Sequence, residues 1–337
     1  DVPGYATLVQ KNTLESLDDY ITDAGINLAD FNGITDQVTV DGSLYELPFR
    51  SDYWLIYYNK DVFDAAGIAY PSNDMTMEDY DALARQLTDT TYGSQVYGCH
   101  YHTWRSAVEL FGILDGKHSI LDGNYDWMIP YYDMILSEED DGVCQTYTDL
   151  STEGLHYSAA FSNGNVAMMN MGSWFISTLI SNLDSGEYDS SLCGNWGIAS
   201  YPHPDGAEAG STIATITGLA VTSASANKDA AFDFVNWVSG TEGAKVMAST
   251  GNFPAIMTDD VINTIAGMAG FPTDESSKEA LNITNAYLEV PYAENVSEIN
   301  SILDTYHTSI MNREVTVEEG VASMNCLLYT SDAADEL

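Results

Sequence analysis

Positive charge is what this chain has least of. Six lysines and four arginines face 51 acidic side chains in 337 residues, a formal net charge of −41 at pH 7. A field of that sign repels phosphate backbones and anionic headgroups, so nucleic acid is not an expected partner. Long apolar runs are missing too: no stretch of about 18 or more apolar residues is available to span a membrane as a helix. The sequence has no GxSxG, HExxH, GxGxxG or P-loop spacing, which removes the common signatures of hydrolases, zinc proteases and nucleotide-binding folds. Cysteines number four and never form CxxC. Cys99, Cys144 and Cys193 are therefore expected as buried small hydrophobes, with one pair open to bridging if the protein is exported.

What is present is a folding composition. Apolar residues make up 45% and aromatics 11% of the chain, and the acids are scattered singly and in pairs, which suits a folded acidic surface rather than a disordered tail. At roughly 100 to 200 residues per domain, the length suggests two domains. Leu44 to Pro48, Trp54 to Asn59, Asn165 to Asn170, Trp196 to Ser200 and Gly218 to Thr222 read as strands. Helical spacing marks Thr76 to Leu87, Ser106 to Leu114, Asp229 to Val238 and Val296 to Met311, with Thr76 as an N-cap three residues before Asp79. Strands alternating with helices predict α/β layers around a largely parallel sheet.

Three segments stand out, in order. Asp41 to Lys60 reads DGSLYELPFRSDYWLIYYNK and runs on into DVFDAAGIAYP; Phe161 to Trp174 reads FSNGNVAMMNMGSW; Asn227 to Ala255 reads NKDAAFDFVNWVSGTEGAKVMASTGNFPA. Together they resemble signature segments of the family 1 extracellular solute-binding proteins, which deliver carbohydrates to ABC importers. The resemblance implies an α/β, two-lobed periplasmic-binding-protein-like fold of type II, each lobe a mixed, mostly parallel sheet flanked by helices, joined by a multi-crossing hinge. It divides the chain into a first lobe of residues 1–52 and 218–280 and a second of 53–217 and 281–325. DVPGYATLVQKNTLESLDDYI, at the start, resembles family sequence from well inside a mature protein, so an opening strand–helix–strand unit and the export signal are expected to be missing. CLLYTSDAADEL, residues 326–337, breaks the helical pattern at Asn325 and resembles translated sequencing adapter; a flexible acidic tail is the alternative.

Sugar recognition needs flat apolar faces for the ring and planar charged groups for paired hydroxyls. Arg50, Asp52, Tyr53 and Trp54 fall within PFRSDYW ahead of YNK. Asp52 stands where maltose-binding members of the family carry a sugar-contacting acid, while alternation places Trp54 in the core. Trp174, in MGSW, matches the family position whose ring stacks on the ligand; a core tryptophan at a strand-to-helix turn is the competing reading. Trp104 and Arg105 lie where the second lobe supplies cleft residues, and the scarcity of arginine favours a role for Arg50 and Arg105. Ser211 and Thr212, in GSTIATIT, are weaker ligand-binding candidates, since turn chemistry accounts for them as well. Trp196 and Trp237 are assigned to the core, Met168, Met169 and Met171 to strand packing. His100 and His102 form an HxH pair read as surface or pocket histidines rather than metal ligands.

The expected protein binds an extracellular carbohydrate, a neutral oligosaccharide, and hands it by lobe closure to membrane permease subunits. It is expected to act as a monomer without catalysis, cofactor or metal, in the periplasm or lipid-anchored on the outer face of the cell membrane. The alternative is a secreted carbohydrate-active enzyme using paired carboxylates, for which so acidic a chain singles out no pair. An acidic surface-interaction protein with no small ligand is a third reading.

Overall fold

Between Leu47 and Asn59 the chain runs as one thirteen-residue strand, β1, buried along most of its length. The run read at Trp54 to Asn59 is thus the second half of a longer strand, which takes in only Leu47 and Pro48 of the run read at Leu44 to Pro48. The polar residues between them stay in the strand because Arg50 and Asp52, two apart and so on one face, pair with each other, Nε to Oδ2 at 2.6 Å. The computed structural model describes residues 2–31, 33–88 and 95–335, with side chains as far as residue 326.

β1 changes partners midway. Its first half, Leu47 to Tyr53, pairs antiparallel with β5 (Ser211–Leu219). Its second half, Trp54 to Asn59, lies antiparallel between β3 (Val166–Gly172) and β4 (Trp196–Ser200). β2 (Tyr97–His100) runs parallel to β3, and β6 (Asn285–Leu288) parallel to β5. The sheet is mixed as expected, but the balance is not mostly parallel: among the described residues, three of the five strand pairings are antiparallel. The reason is β1, which opposes every strand beside it. The strand read at Gly218 to Thr222 begins earlier, at Ser211, because small residues there sit between β1 and β6.

Local chemistry sets the helix starts. Asn59 ends β1 and caps the helix Lys60–Ala66, its side chain accepting from Asp61 N at 3.1 Å, and Gly67, at φ 68°, terminates that helix. Thr76 and Asp79 form a reciprocal capping box ahead of the helix Met77–Thr88, as its sequence predicts. Trp196 is buried as expected, but Trp237 is 53% exposed. The helix Lys228–Ser239 turns Phe232, Val235 and Ser239 inward, and position 237 falls on the opposite side. At the other end, the helix Val317–Asp335 continues past Asn325 without the break read there. No helix among the described residues is long and apolar enough to cross a membrane.

Two predictions arise from the packing. A Cβ on Gly98 would lie 1.8 Å from the Ala84 carbonyl oxygen, a backbone atom with little room to yield. Gly98→Ala should therefore cost about 1–3 kcal/mol in urea unfolding as β2 and the helix Met77–Thr88 part; an unchanged midpoint would show that they adjust freely. Glu46, 5% exposed, has its carboxyl pushed up to about 7 by burial. The folded chain then holds a proton that the unfolded chain releases, so stability falls as pH rises from about 5 to about 7. Measured against Glu46→Gln, the wild type should lose stability across that window; parallel pH profiles would contradict it.

Candidate functional site

Where β1 passes from one set of partners to the other, a cavity of about 490 Å³ opens beside Trp54. Its walls come from five places: Trp54 and Thr215 from the crossing strands, Thr103 to Ser106 from the turn after β2, Trp174 from the end of β3, Glu289 and Val290 after β6, and one face of the helix Val296–Met311. On that helix Asn300, Asp304, His307 and Thr308 follow the i, i+4, i+7, i+8 spacing that aligns side chains on one side.

Three indoles form the apolar wall. Trp54 meets Trp174 edge-on at a centroid distance of 5.5 Å and Trp104 at 6.4 Å, and Trp104 and Trp174 stand 6.2 Å apart. Trp54 is buried, but not through alternation, since every residue from Ser51 to Asn59 is buried and Trp54 lines the cavity; Trp104 is 41% exposed. Trp174 opens the helix Trp174–Ser185 and lies over Gly172, where a Cβ would stand 2.0 Å from the indole. The glycine of MGSW is thus what lets the indole fold back to the cavity.

Polar groups face this wall. Arg105, 7% exposed, holds Glu109 at 3.1 Å and Asp304 at 3.2 Å, and its Nη2 donates to Asn300 Oδ1 at 2.7 Å. Burial opposes its charge, but the two carboxylates more than offset that and hold the guanidinium protonated. Burial pushes Glu109 up to about 7 against the pull of Arg105. Thr215 Oγ1 donates to Glu289 Oε2 at 2.8 Å, and burial raises the Glu289 carboxyl despite that bond. His307 stays neutral, pushed down to about 3 by burial and by Arg105, with its Nδ1 3.0 Å from the Tyr132 hydroxyl.

Of the residues singled out in the sequence, the cavity brings together Trp104, Arg105 and Trp174. Arg50, Asp52, Tyr53, Ser211 and Thr212 do not line it. Asp52 is 5% exposed and satisfied by Arg50 and by Ser173 Oγ, which donates to it at 3.0 Å; burial raises its carboxyl even so. Tyr53 packs inside, edge-on to Phe253 at 6.1 Å. Thr212 Oγ1 donates to the Trp54 carbonyl at 2.6 Å, and Ser211 Oγ accepts from Asn285, so both tie β5 to its neighbours. Met168, Met169 and Met171 are buried along β3, as strand packing requires. His100 is not at the surface: it is buried on β2, where burial holds its imidazole down near about 3. Glu289, Asn300 and Asp304 went unread because nothing local distinguishes them among so many acids and amides. Only the polar stripe Asn300, Asp304, Thr308, beside the apolar face of its helix, carried a signal.

Comparison with known proteins adds the family. Residues 1–245 match the model of the bacterial extracellular solute-binding proteins. A sugar transporter from Rhizobium etli, solved in an open conformation, is 47% identical, with a TM-score of 0.90 over 96% of this chain and 82% of that one. A Listeria monocytogenes ABC substrate-binding protein in complex with cycloalternan, at 21% identity, has a TM-score of 0.79 over 98% of this chain and 82% of its own. Maltose-bound MalE3 of T. maritima, at 18% identity, has a TM-score of 0.74, covering 96% of this chain and 81% of its own. The last two share the two-lobed fold. No curated protein sequence matches at a significant level.

Proposed function

The chain belongs to the bacterial extracellular solute-binding proteins, and on that premise we propose that it captures a neutral oligosaccharide in the tryptophan-lined cavity and presents it to an ABC importer. The observation that carries this reading is the meeting of Trp54, Trp104 and Trp174 with Thr215, Glu289, Asn300 and Asp304 around one cavity. Flat rings cover the C–H faces of a pyranose, and carboxylates and amides take its hydroxyls. The Rhizobium etli relative, a sugar transporter, supports the ligand class.

Neutrality follows from how the arginines are used. Arg50 is paired with Asp52 away from the cavity, and Arg105 with Glu109 and Asp304. Among the described residues no spare cation is left on the wall to offset the repulsion an anionic sugar meets from the acidic chain as a whole. On this reading residues 1–52 with 218–280 and residues 53–217 with 281–325 are the lobes, and they close over the sugar by rotation about the crossing strands. The closed form is the one the permease recognises, and the monomer, at the outer face of the membrane or in the periplasm, transforms nothing.

Calorimetry with neutral gluco- and manno-oligosaccharides and their sulfated counterparts tests this, with product analysis and small-angle scattering on the same samples. Reversible binding of a neutral sugar and a smaller radius of gyration are expected. Tighter binding of a sulfated sugar overturns neutrality; bond cleavage favours the enzyme reading, and binding without contraction defeats lobe closure.

A further inference from the structure

Away from the cavity, three buried groups that the sugar-binding reading does not use converge inside the second lobe. Cys99 lies on β2, Glu138 in the helix Ile129–Asp140, and Cys144 just beyond the turn that follows that helix. The turn is closed from both sides: Val143 N donates to the Glu138 carbonyl at 2.8 Å, and Gly98 N donates to the Val143 carbonyl at 2.9 Å. This brings both thiols and a Glu138 oxygen within 4.8 Å of one another, the one such gathering of three or more histidine, cysteine or acidic side chains among the described residues. Glu138 and Cys99 are fully buried and Cys144 nearly so.

The carboxyl is the anomaly. Neither Glu138 oxygen meets a donor in good hydrogen-bonding geometry, and the pull of the nearby Tyr101 hydroxyl on the carboxyl is outweighed by burial. A buried carboxyl left unpaired is costly, and such groups in native proteins call for an occupant. We propose that Cys99, Glu138 and Cys144 form a binding site for one thiophilic divalent cation, zinc being the first choice.

The donor set suits zinc, which takes thiolate and carboxylate ligands tetrahedrally at roughly 2.3 and 2.0–2.2 Å. Ligand atoms around such an ion stand roughly 3.5–3.8 Å apart, within the observed spread. A water fills the fourth position, and the Tyr101 hydroxyl orients the carboxylate from outside. A disulfide between Cys99 and Cys144 is the competing state of two neighbouring thiols, but it would leave the Glu138 carboxyl as unpartnered as before; a cation engages all three groups. Binding exchanges protons and moves no electrons: two thiols and one carboxylic acid each release a proton as the ion enters. Burial pushes Glu138 up to about 8 and raises both thiols. Around them stand Asp81 and Arg85 from the helix Met77–Thr88, with Glu139, Tyr80 and Tyr101.

The test uses the full chain, reduced and stripped with a chelator, then exposed to zinc or cobalt(II) and desalted. One retained metal per chain is expected, with thiolate-to-cobalt charge-transfer absorption and a higher melting temperature. Cys144→Ser should abolish the absorption, and Glu138→Gln should weaken binding at least tenfold with the fold intact by circular dichroism. If no metal is retained and all four thiols titrate on unfolding, the proposal fails. It fails equally if the protein as purified, without metal, shows two thiols on unfolding and a mass short by two hydrogens, since the pair is then a disulfide. The wild-type cobalt spectrum decides even if a variant does not fold.

Discussion

Replacing Arg105 with methionine is expected to destabilise the protein by about 3–5 kcal/mol at pH 8, the range seen when one partner of a buried ion pair is removed. The loss comes from what is left behind: Glu109 has no exposed surface and faces Arg105 at 3.1 Å, with Asp304 at 3.2 Å on the other side. The penalty should depend on pH, with a sign set by Glu109. Its carboxyl already stands near about 7 with Arg105 present; without the guanidinium it rises further above its unfolded value. The variant then keeps Glu109 protonated when folded, so its stability is highest at low pH and falls as pH climbs from about 5. Urea titrations at pH 5 and pH 8 should show the smaller loss at pH 5. Arg105→Met with Glu109→Leu should recover much of it, the two residues being coupled. A loss under about 1 kcal/mol at pH 8, or no recovery, would mean that the pair is not holding the cavity floor.

Trp174→Ala should weaken sugar binding at least tenfold, corresponding to roughly 1.4–3 kcal/mol of lost ring contact. Because Trp174 is only half-buried, its cost to stability should stay below the roughly 3–5 kcal/mol of an enclosed tryptophan. Calorimetry and thermal unfolding of the same variant separate its two possible duties. An unaltered affinity with a collapsed melting temperature would assign the indole to packing alone, bracing Trp54 and Trp104.

Legibility followed the range of the forces involved. The Thr76–Asp79 box is settled within a few residues and was read directly, whereas the Asn59 cap and the Gly67 stop, equally local, went unread behind the strand. Asp52 and Thr212 looked like ligand contacts because each carries the right chemistry in the right neighbourhood; what takes them away from the cavity is Ser173 and Trp54, 121 and 158 residues distant. The same distance hid Glu289 and Asn300, which become recognisable only when β6 and the helix Val296–Met311 reach the tryptophans. Trp237 misled for a simpler reason: its helix is apolar on both sides, and Phe234 and Trp237 occupy the outward one while Phe232 and Val235 are buried.

The shared strand also governs how the molecule comes into being. β1 leaves the ribosome well before its partners, which are far downstream: Tyr53 N must find Ser173, 120 residues on, and the Trp54 carbonyl must find Thr212 later still. Until then a thirteen-residue, largely apolar strand has no ladder to join. Loop closure over such separations slows folding, so the nascent chain should remain unfolded long enough for passage across a membrane, and open long enough for β1 to invite wrong strand pairings at high concentration. Refolding from urea should accordingly be slow and concentration-sensitive, with both halves of the sheet gaining amide protection together rather than one after the other.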